Sequence, residues 1–333
     1  MSSTSVCIIS CDESFLTTLF MRIFVAGGTG ALGSHLIPLL VEAGYGVTAL
    51  SRSAEKAAFA ESMGAEPVIA DALDRTALMQ AVRTSRPDVI VHQLTALAEA
   101  GNFRKLDQEF ELTNRFRTTV TDTLLAAARD VGARRFIAQS FCGWPFAREG
   151  GRIKTEEDPL DKNPPGSFRK TLAAIQYLED TVTQTRDTEG LVMRYGLFYG
   201  ARTGIAMDGP IIAMVRKRRL PIVGGGGGVW SFIHISDAAS ATVSAVTMGS
   251  PGIYNIVDDE PAPVATWLPA LARAVGAPPP RRVPAWLGRI ALGAGGLAVM
   301  TENRGGSNAK AKRELGWRPR YATWRRGFTE ALG

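Results

Sequence analysis

The sequence predicts an α/β fold, a doubly wound parallel sheet with a smaller substrate-binding region towards the C-terminus. Three observations support this prediction. From Met21 onwards, apolar runs of strand length alternate with stretches of helical periodicity. These apolar runs are continuous, as in strands that are buried on both faces of a sheet. A glycine-rich turn at residues 27–33 joins the first strand to the first helix.

Six strands and four helices follow from this pattern. The expected strands are residues 22–26, 47–50, 67–70, 89–94, 135–139 and 191–194. The expected helices are residues 31–43, 112–131, 167–184 and 308–317. After about residue 200, stretches rich in glycine and proline separate shorter elements, which indicates a second region of different construction.

The chain is therefore expected to have three parts. Residues 1–20 form a flexible extension and make a poor signal peptide, because no Lys or Arg precedes their apolar stretch. Residues 21–200 form a cofactor-binding domain. Residues 201–333 are mainly a substrate-binding region, with some segments that return to the sheet.

Composition excludes several classes of protein. Three cysteines, Cys7, Cys11 and Cys142, are too few for a disulfide framework or a four-ligand zinc site, which fits the reducing cytoplasm. A net charge of +6 is mild for 333 residues, so a nucleic-acid partner is not expected. The longest weakly polar stretch, 287–300, contains Arg289 and is too short to cross a bilayer, so no membrane partner is expected.

The turn after the first strand predicts a dinucleotide site. Gly27 suits a tight turn, Gly30 lets the backbone approach a pyrophosphate, and Gly33 lets the helix pack closely on the sheet. The helix N-terminus offers free N–H groups and a positive dipole end to the anion. Cofactor contacts are expected along the whole turn: Gly27, Gly28, Thr29, Gly30, Ala31, Leu32 and Gly33.

The end of the second strand bears on the choice of cofactor. No carboxylate is present there to bind the ribose 2′-hydroxyl of NAD, whereas Arg52 offers a planar guanidinium to the 2′-phosphate of NADP. NADP is therefore expected, and NAD stays open. Asp71 faces the adenine edge or, alternatively, caps the following helix. The expected cofactor set also includes residues after the third and fourth strands: Ala72, Leu94 and Thr95.

These motifs resemble those of the extended short-chain dehydrogenase/reductases, which include the NAD-dependent epimerase/dehydratases. The resemblance covers residues 21 to about 330 and rests on the Gly27 turn, Asp71, residues 94–96, Asn114, Ser140, and residues 194–200, 232–237 and 308–317. It implies an NAD(P)-binding Rossmann domain, a smaller C-terminal domain for a small-molecule substrate, and a homodimer formed through the two long helices.

The resemblance breaks at the catalytic residues. The family has a Tyr, a Lys four residues later and a Glu four residues after that. If Glu179 is that Glu, Thr171 stands at the Tyr position and Ile175 at the Lys position. In the family, the lysine lowers the pKa of the tyrosine, which exchanges a proton with the substrate oxygen. The lysine also commonly anchors the nicotinamide ribose. A threonine hydroxyl is far too weak an acid for the tyrosine's role.

Other residues are candidates for the chemistry. Ser140 matches the position of a hydroxyl that polarises a substrate carbonyl, or it is a strand-end hydroxyl bonded to backbone. Lys170, Tyr177 and residues 156–158 are alternative proton donors, although each is expected to be structural or solvent-facing. The expected substrate pocket consists of Trp144, Arg194, Tyr195, Phe198 and Trp230.

Two features of the second region have more than one interpretation. His234 lies among apolar residues, and a structural histidine bonded to Asp237 or to backbone is favoured over a general base. The five glycines at 224–228 form either a mobile lid over the substrate or a loop without function.

The sequence therefore predicts an NADP-dependent oxidoreductase that acts on a small carbonyl or hydroxyl compound with non-standard catalytic residues. Two alternatives stay open. One is a nucleotide-binding sensor or scaffold without redox turnover, because the Tyr and Lys are absent. The other is an isomerase or epimerase-type enzyme that retains the cofactor.

Overall fold

A computed structural model describes residues 21–97 and 102–332, so the expected extension at 1–20 lies outside the described residues. The strands are β1 (Arg22–Ala26), β2 (Gly46–Ser51), β3 (Glu66–Ile69), β4 (Val89–His92), β5 (Arg135–Phe141), β6 (Ile153–Lys154), β7 (Glu189–Tyr195), β8 (Leu197–Tyr199), β9 (Ile222–Val223), β10 (Val229–Trp230), β11 (Phe232–His234), β12 (Gly252–Ile256), β13 (Ala262–Pro263), β14 (Arg282–Val283) and β15 (Gly305–Gly306).

The helices are α1 (Gly33–Glu42), α2 (Ala54–Ser62), α3 (Arg75–Ser85), α4 (Leu106–Glu109), α5 (Glu111–Arg115), α6 (Thr121–Val131), α7 (Arg169–Thr183), α8 (Pro210–Arg216), α9 (Ile235–Thr247), α10 (Val264–Ala274), α11 (Ala285–Thr301), α12 (Ala309–Glu314) and α13 (Trp324–Leu332). No helix in the two described ranges is long and apolar enough to cross a bilayer.

Seven strands form one parallel sheet in the order β12-β7-β5-β4-β1-β2-β3, which confirms the doubly wound fold. All six predicted strands are present, with ends that differ by at most two residues. Ala26 at the end of β1 lies beside Leu50 of β2 and His92 of β4. The strand order reverses between β1 and β4, and ligands of such sheets bind in the crevice at this point.

Helices cover both faces of the sheet. Leu36 and Leu40, four residues apart on α1, pack with α9 on one face. Leu124 of α6 packs with Leu178 and Val182 of α7 on the other face. Each helix thus buries one apolar stripe, which is why its periodicity is visible in the sequence.

The second region has its own aromatic core, yet it also returns to the main sheet. Phe232, Trp267 and Phe328 are almost fully buried in that core. The strand β12 lies at the edge of the main sheet, where Asn255 pairs with Arg194 of β7. The sequence predicted segments that return to the sheet but did not identify β12.

The predicted helix 112–131 is interrupted. A π-helical turn, Phe116–Val120, separates α5 from α6. The Phe116 carbonyl explains the break, because it bonds to side chains: Thr121 Oγ1 at 3.3 Å and His92 Nε2 at 3.1 Å. Such side-chain bonds compete with the regular helical ladder. The predicted long helix is therefore present from Glu111 to Val131, with a π-helical turn at its middle that faces the end of β4.

The glycine-rich loop at 224–228 is packed against its neighbours. The N–H groups of Gly224 and Gly228 donate to the carbonyls of Val283 and Met300. A Cβ on Gly228 would lie 2.5 Å from the Val299 oxygen, so a larger side chain does not fit there. These contacts favour a packed loop over a mobile lid.

Candidate functional site

Close backbone contacts account for two glycines of the first turn. Gly27 has a φ of 99°, and a Cβ there would lie 2.7 Å from the Gln93 carbonyl oxygen. A Cβ on Gly33 would lie 2.4 Å from the carbonyl oxygens of Gly27 and Gly28. The turn therefore packs β1, α1 and the end of β4 as closely as backbones allow.

The outer side of the same turn is open. A Cβ on Gly30 would meet only the Gly27 oxygen, at 3.3 Å. In the described part of the chain, the N–H groups of Ala31 and Leu32 have no hydrogen-bond acceptor, and no side chain caps α1. Thr29 is half-buried beside them. Unpaired N–H groups at a helix N-terminus with an open approach fit the pyrophosphate of a dinucleotide.

The end of β2 also fits a ligand. Ser51 Oγ is buried without a partner, and Arg52 is exposed without a hydrogen bond or ion pair in the described residues. Both groups are therefore free to bind the adenosine side of a dinucleotide.

The end of β3 resolves the two interpretations of Asp71 in part. Asp74, not Asp71, caps α3 by accepting the Ala77 N–H at 3.0 Å. Asp71 is exposed and accepts the Leu73 N–H at 2.9 Å, while Ala72 is half-buried. The capping interpretation of Asp71 was wrong, and the side chain stays at the carboxyl edge of the sheet.

The end of β4 contributes buried polar groups. His92 is 2% exposed, its Nδ1 has no partner, and burial lowers its pKa to about 4. Gln93 donates from Nε2 to Tyr195 Oη at 3.3 Å, and its Oε1 is unpaired. Leu94 is half-buried and Thr95 exposed, next to the Gly27 turn.

Thr171, at the family's Tyr position, is fully buried and hydrogen-bonded to protein groups. Its Oγ1 donates to Asp107 Oδ1 at 2.8 Å and accepts from Asn114 Nδ2 at 3.1 Å. Asp107 also accepts the backbone N–H groups of Thr171 and Lys170, at 2.8 and 3.1 Å. The hydroxyl of Thr171 thus helps to anchor the start of α7 and has no free proton for a substrate.

Most of the alternative proton donors are hydrogen-bonded to protein groups or exposed to solvent. The Lys170 side chain is exposed, and Tyr177 Oη donates to Asp122 on α6 at 2.8 Å. Asp158 accepts from Lys154 and from Thr155. These contacts favour structural roles for Tyr177 and Asp158, whereas Lys170 and Glu157 face solvent.

Glu156 is the exception, because its partner leaves one carboxyl oxygen available. It accepts the Asn255 N–H at 2.7 Å through Oε1, and burial raises the pKa of its carboxyl. Asn255 itself is fully buried with both side-chain atoms unpaired.

Ser140 lies in a buried ion-pair cluster. Its Oγ donates to Glu179 Oε1 at 2.6 Å, and Arg194 donates to both oxygens of Glu179, at 2.8 and 2.5 Å. All three side chains are 3% exposed. Neither interpretation of Ser140 included this partner, and its proton is directed to Glu179 rather than to a substrate carbonyl. The expected pocket residue Arg194 is instead half of a structural ion pair.

Arg117 was not identified from the sequence, although it is 7% exposed in the π-helical turn. Its Nη1 donates to Asn114 Oδ1 at 3.2 Å, and its guanidinium carbon lies 5.7 Å from the centre of the Phe110 ring. One signal was available, because Arg117 falls on the same helical face as the buried Val120 and Leu124. An arginine on an apolar helix face calls for a partner.

An apolar cleft with aromatic walls lies next to the cluster of Ser140, Glu179 and Arg194. This narrow cleft, with an interior volume of about 10 Å³, is lined by Trp144, Phe146, Phe168 and Val299, among others. The rings of Trp144 and Phe168 are 4.7 Å apart in an edge-on arrangement. Trp230 packs with the same group of apolar residues as Trp144 and Phe168, and its Nε1 donates to the Val299 carbonyl at 3.1 Å.

Two expected pocket residues lie elsewhere. Tyr195 is 1% exposed in the core shared with α1 and α9, where its hydroxyl bonds to Thr242 at 2.6 Å. Phe198 is half-buried against Tyr195, with ring centres 5.4 Å apart. Neither lines the aromatic cleft, because Tyr195 projects from the opposite face of the sheet to Ser140 and Phe198 packs against the same core as Tyr195.

His234 has a structural environment. Its Nδ1 lies 2.6 Å from Ser236 Oγ and accepts the Ser236 N–H, which caps α9. Asp237, the partner considered from the sequence, instead accepts the N–H groups of Arg320 and Tyr321. Burial lowers the pKa of His234 to about 4.

Comparison with known proteins agrees with this arrangement. A model of the NAD dependent epimerase/dehydratase family matches residues 23–257. A 3-diazoavenalumate denitrifying reductase from a Streptomyces species is 43% identical over 310 residues, which are 92% of this chain and 99% of that protein. A 4-hydroxy-2-methyl-3-oxo-4-farnesyl-3,4-dihydroquinoline-1-oxide ketoreductase from Stigmatella aurantiaca is 30% identical over 260 residues, which are 77% of this chain and 74% of that protein.

Solved structures share the fold. A UDP-glucose 4-epimerase from Thermotoga maritima, solved with UDP-glucose, has a TM-score of 0.73 at 21% identity and covers 93% of this chain and 97% of its own. A dTDP-glucose 4,6-dehydratase from Bacillus anthracis, solved with NAD, has a TM-score of 0.69 at 18% identity, with coverage of 93% and 95%. The chain belongs to the NAD dependent epimerase/dehydratase family and is an NAD(P)-dependent enzyme of the oxidoreductase and epimerase type.

Proposed function

We propose that this protein is an NADPH-dependent reductase that removes the diazo group from a small aromatic compound. One observation carries the proposal. The Thr171 hydroxyl is bonded to Asp107, and Ile175 takes the place of the lysine, so no acid stands where the family protonates a carbonyl oxygen. The substrate that suits such a site is one whose reduction needs no proton from the protein.

An arenediazonium ion meets this requirement. The bound cofactor supplies a hydride. When the terminal nitrogen of the diazonium takes up that hydride, the product is a neutral aryldiazene. Loss of dinitrogen then leaves the hydrogen on the ring, so the net change is replacement of the diazonium group by hydrogen. The acceptor is already cationic, which removes the need for general-acid catalysis.

A relative supports this substrate class. The Streptomyces protein, whose name specifies a diazo substrate and a denitrifying reduction, matches over nearly its whole length. The side chains of Trp144, Phe168 and Val299 supply apolar and ring surfaces, against which a flat aromatic compound would pack.

Carbonyl reduction is the second candidate, and the ketoreductase relative favours it. It requires a proton donor other than Thr171. Glu156 is the group to test, because burial raises the pKa of its carboxyl and one of its oxygens is not engaged by Asn255. A carboxyl with a raised pKa keeps its proton to a higher pH than an ordinary glutamate, as a general acid requires.

In this proposal, different residues bind different parts of the cofactor. The Gly27–Gly33 turn and the α1 N-terminus would hold the pyrophosphate. Arg52, which is free of other partners, would bind the 2′-phosphate and select NADP over NAD. Asp71, Ala72, Leu94 and Thr95 would line the rest of the cofactor site.

The proposal also covers the oligomeric state and the cellular location. A homodimer would form through α6 and α7, where Tyr177 is 42% exposed. A cytoplasmic location is proposed because Cys142 is a free thiol and the chain contains only three cysteines.

The test compares two acceptors with the purified protein. NADPH binding is measured first, by calorimetry. The rate of NADPH oxidation is then measured with a carboxylated arenediazonium salt and with the aryl methyl ketone of the same ring, against the protein-free rate. Faster oxidation with the diazonium salt is expected, and Gly30→Trp, which fills the open side of the turn, is expected to abolish it.

The other outcomes identify the rival functions. Faster oxidation with the ketone would favour carbonyl reduction. Tight NADPH binding without oxidation by any acceptor would favour a sensor or scaffold. Turnover without net oxidation of the cofactor would favour an isomerase or epimerase.

A further inference from the structure

Arg117 is a buried cation without a carboxylate partner. In the residues that the structure describes it forms no ion pair, and its hydrogen-bond partner is the neutral amide of Asn114, 3.2 Å away. Burial lowers the pKa of its guanidinium to about 10, and the charge of Glu179 opposes this effect. Glu179 is itself already paired with both donors of Arg194. Nε and Nη2 of Arg117 have no hydrogen-bond partner in the described residues, so these donors are available to a ligand.

Its surroundings place Arg117 beside the position of the absent lysine. Thr171, Ile175 and Glu179 are successive residues of one face of α7, four residues apart. Arg117 is joined to the first of them through Asn114, which bonds to both Arg117 and Thr171. It is attracted to the third by charge. The guanidinium therefore lies along the face on which Ile175 is the middle residue.

The same guanidinium is close to the end of β4. The Phe116 carbonyl, adjacent to Arg117, is 3.1 Å from His92 Nε2, and the charge of Arg117 contributes to the lowered pKa of His92. His92 pairs with Ala26, the last residue before the Gly27 turn. The π-helical turn thus holds a cation between the end of β4 and α7. Single π-helical turns often occur at functional sites.

We propose that Arg117 binds the hydroxyl groups of the nicotinamide ribose and so replaces, from a different helix, the lysine that is absent at Ile175. This inference rests on the proposed function, because it requires that the chain bind NADPH. The ligand is a vicinal diol, and the planar guanidinium is suited to donate to two neighbouring oxygens. Arg117 is a cofactor-positioning residue and moves no proton.

The proposal makes two positions interdependent. An arginine at 117 and a lysine at 175 would place two cations in one buried space, which like-charge repulsion disfavours. A chain with Arg117 removed should therefore accept a lysine at 175. The double variant Arg117→Met with Ile175→Lys should restore the contact that the single variant loses.

The experiment measures dissociation constants by calorimetry for two ligands. NADPH contains the nicotinamide ribose, whereas adenosine 2′,5′-bisphosphate lacks it and occupies the other half of the site. Arg117→Met is expected to weaken NADPH binding by about 10- to 100-fold, the range of charge-assisted hydrogen bonds. Binding of the bisphosphate should change by less than about twofold. The double variant should recover most of the affinity for NADPH. Arg115→Met, in which an exposed arginine two residues away is removed, is the matched control.

Each outcome of these binding measurements supports or overturns the role proposed for Arg117. Equal weakening of both ligands would assign Arg117 a structural role, and unchanged binding of both would also overturn the inference. If Arg117→Met does not fold, Arg117→Lys, which keeps the charge but not the fork of donors, should still lose several-fold in NADPH affinity alone. Wild-type protein that binds neither ligand would overturn the proposed function and this inference together. NADPH binding that is unaffected at Arg117 would overturn this inference only.

Discussion

Thr171 has the contacts of a structural hydroxyl, although it stands at the family's Tyr position. It accepts from Asn114 and donates to Asp107, which in turn holds two backbone N–H groups at the start of α7. The one O–H donor of this hydroxyl is used by Asp107, so it has no proton to donate to a substrate. The chemistry must therefore take place without it.

Replacement of Thr171 by Val tests this role. The variant keeps the volume but leaves the Asn114 amide without its acceptor, so the free energy of unfolding should fall by about 1 to 2 kcal/mol. The rate of substrate reduction at saturating NADPH should change by less than about twofold, because no proton passes through this hydroxyl. Denaturant unfolding and steady-state kinetics measure the two quantities. A large loss of rate with unchanged stability would show that the hydroxyl takes part in the reaction.

His92 makes stability depend on pH. In the unfolded chain its ordinary pKa is about 6.5, whereas burial lowers the pKa in the folded protein to about 4. Between these values the unfolded chain binds a proton that the folded chain does not. The stability contributed by a neutral His92 is therefore complete above about pH 6.5 and is lost as the pH falls towards 4.

The variant His92→Gln isolates this effect. Relative to the variant, the wild type should lose about 3 kcal/mol of unfolding free energy over that range, from about 1.4 kcal/mol per pH unit. Denaturant titrations at several pH values give the difference. Parallel curves for the two proteins would show that His92 does not titrate differently on folding.

At the scale of elements, two glycines of the first turn have different roles: Gly33 is needed for packing and Gly30 for cofactor binding. Gly33→Ala would press a methyl group against two carbonyl oxygens, so it should reduce stability by about 1 to 3 kcal/mol. Gly30→Ala meets only one atom at 3.3 Å and should change stability by less than about 0.5 kcal/mol. Because its methyl group occupies the open side, Gly30→Ala should still weaken NADPH binding by about 10-fold. Thermal unfolding and calorimetry of both variants check this, and equal effects of the two on stability would contradict it.

The Glu179–Arg194 pair joins α7 to β7. Glu179→Gln leaves the Arg194 charge buried without its counter-ion, so the free energy of unfolding should fall by about 3 to 5 kcal/mol. The exposed pair of Arg129 and Asp187 is the matched control, and Asp187→Asn should cost less than about 1 kcal/mol. Chemical denaturation of both variants measures the difference. Similar losses in the two would mean that burial of the pair is not what gives it strength.

At the scale of the whole molecule, the sequence predicted the strands that contain a short apolar run, including β5 and β7, in which Ser140 and Arg194 are also buried. Strand β1 has the expected bounds, because its buried residues form a single apolar run that ends at the Gly27 turn. Strand β12, which has the same length as β1, was missed because Asn255 divides its apolar residues. Local pattern identifies a strand by its apolar run, and here no run of strand length was visible.

The cofactor turn could be predicted because its glycines contact residues that are mostly close in the sequence. The surroundings of Thr171 could not, because they depend on contacts between distant segments. The roles of Gly27, Gly30 and Gly33 depend on neighbours within seven residues and one strand. Asp107 and Asn114 hold Thr171 through contacts between helices, which no spacing in the sequence encodes. Tyr195 and Arg194 are adjacent in the sequence but project to opposite faces of the sheet, so only one lies beside Ser140.

The central claim is that the protein transfers a hydride to a diazo compound without an acid at position 171. The most direct measurement is the amount of dinitrogen released for each NADPH consumed from an isotopically labelled arenediazonium salt, with the protein-free reaction subtracted. The account predicts equal amounts, with a rate that Thr171→Val leaves within about twofold. Dinitrogen release without NADPH consumption, or NADPH consumption without dinitrogen, would contradict it.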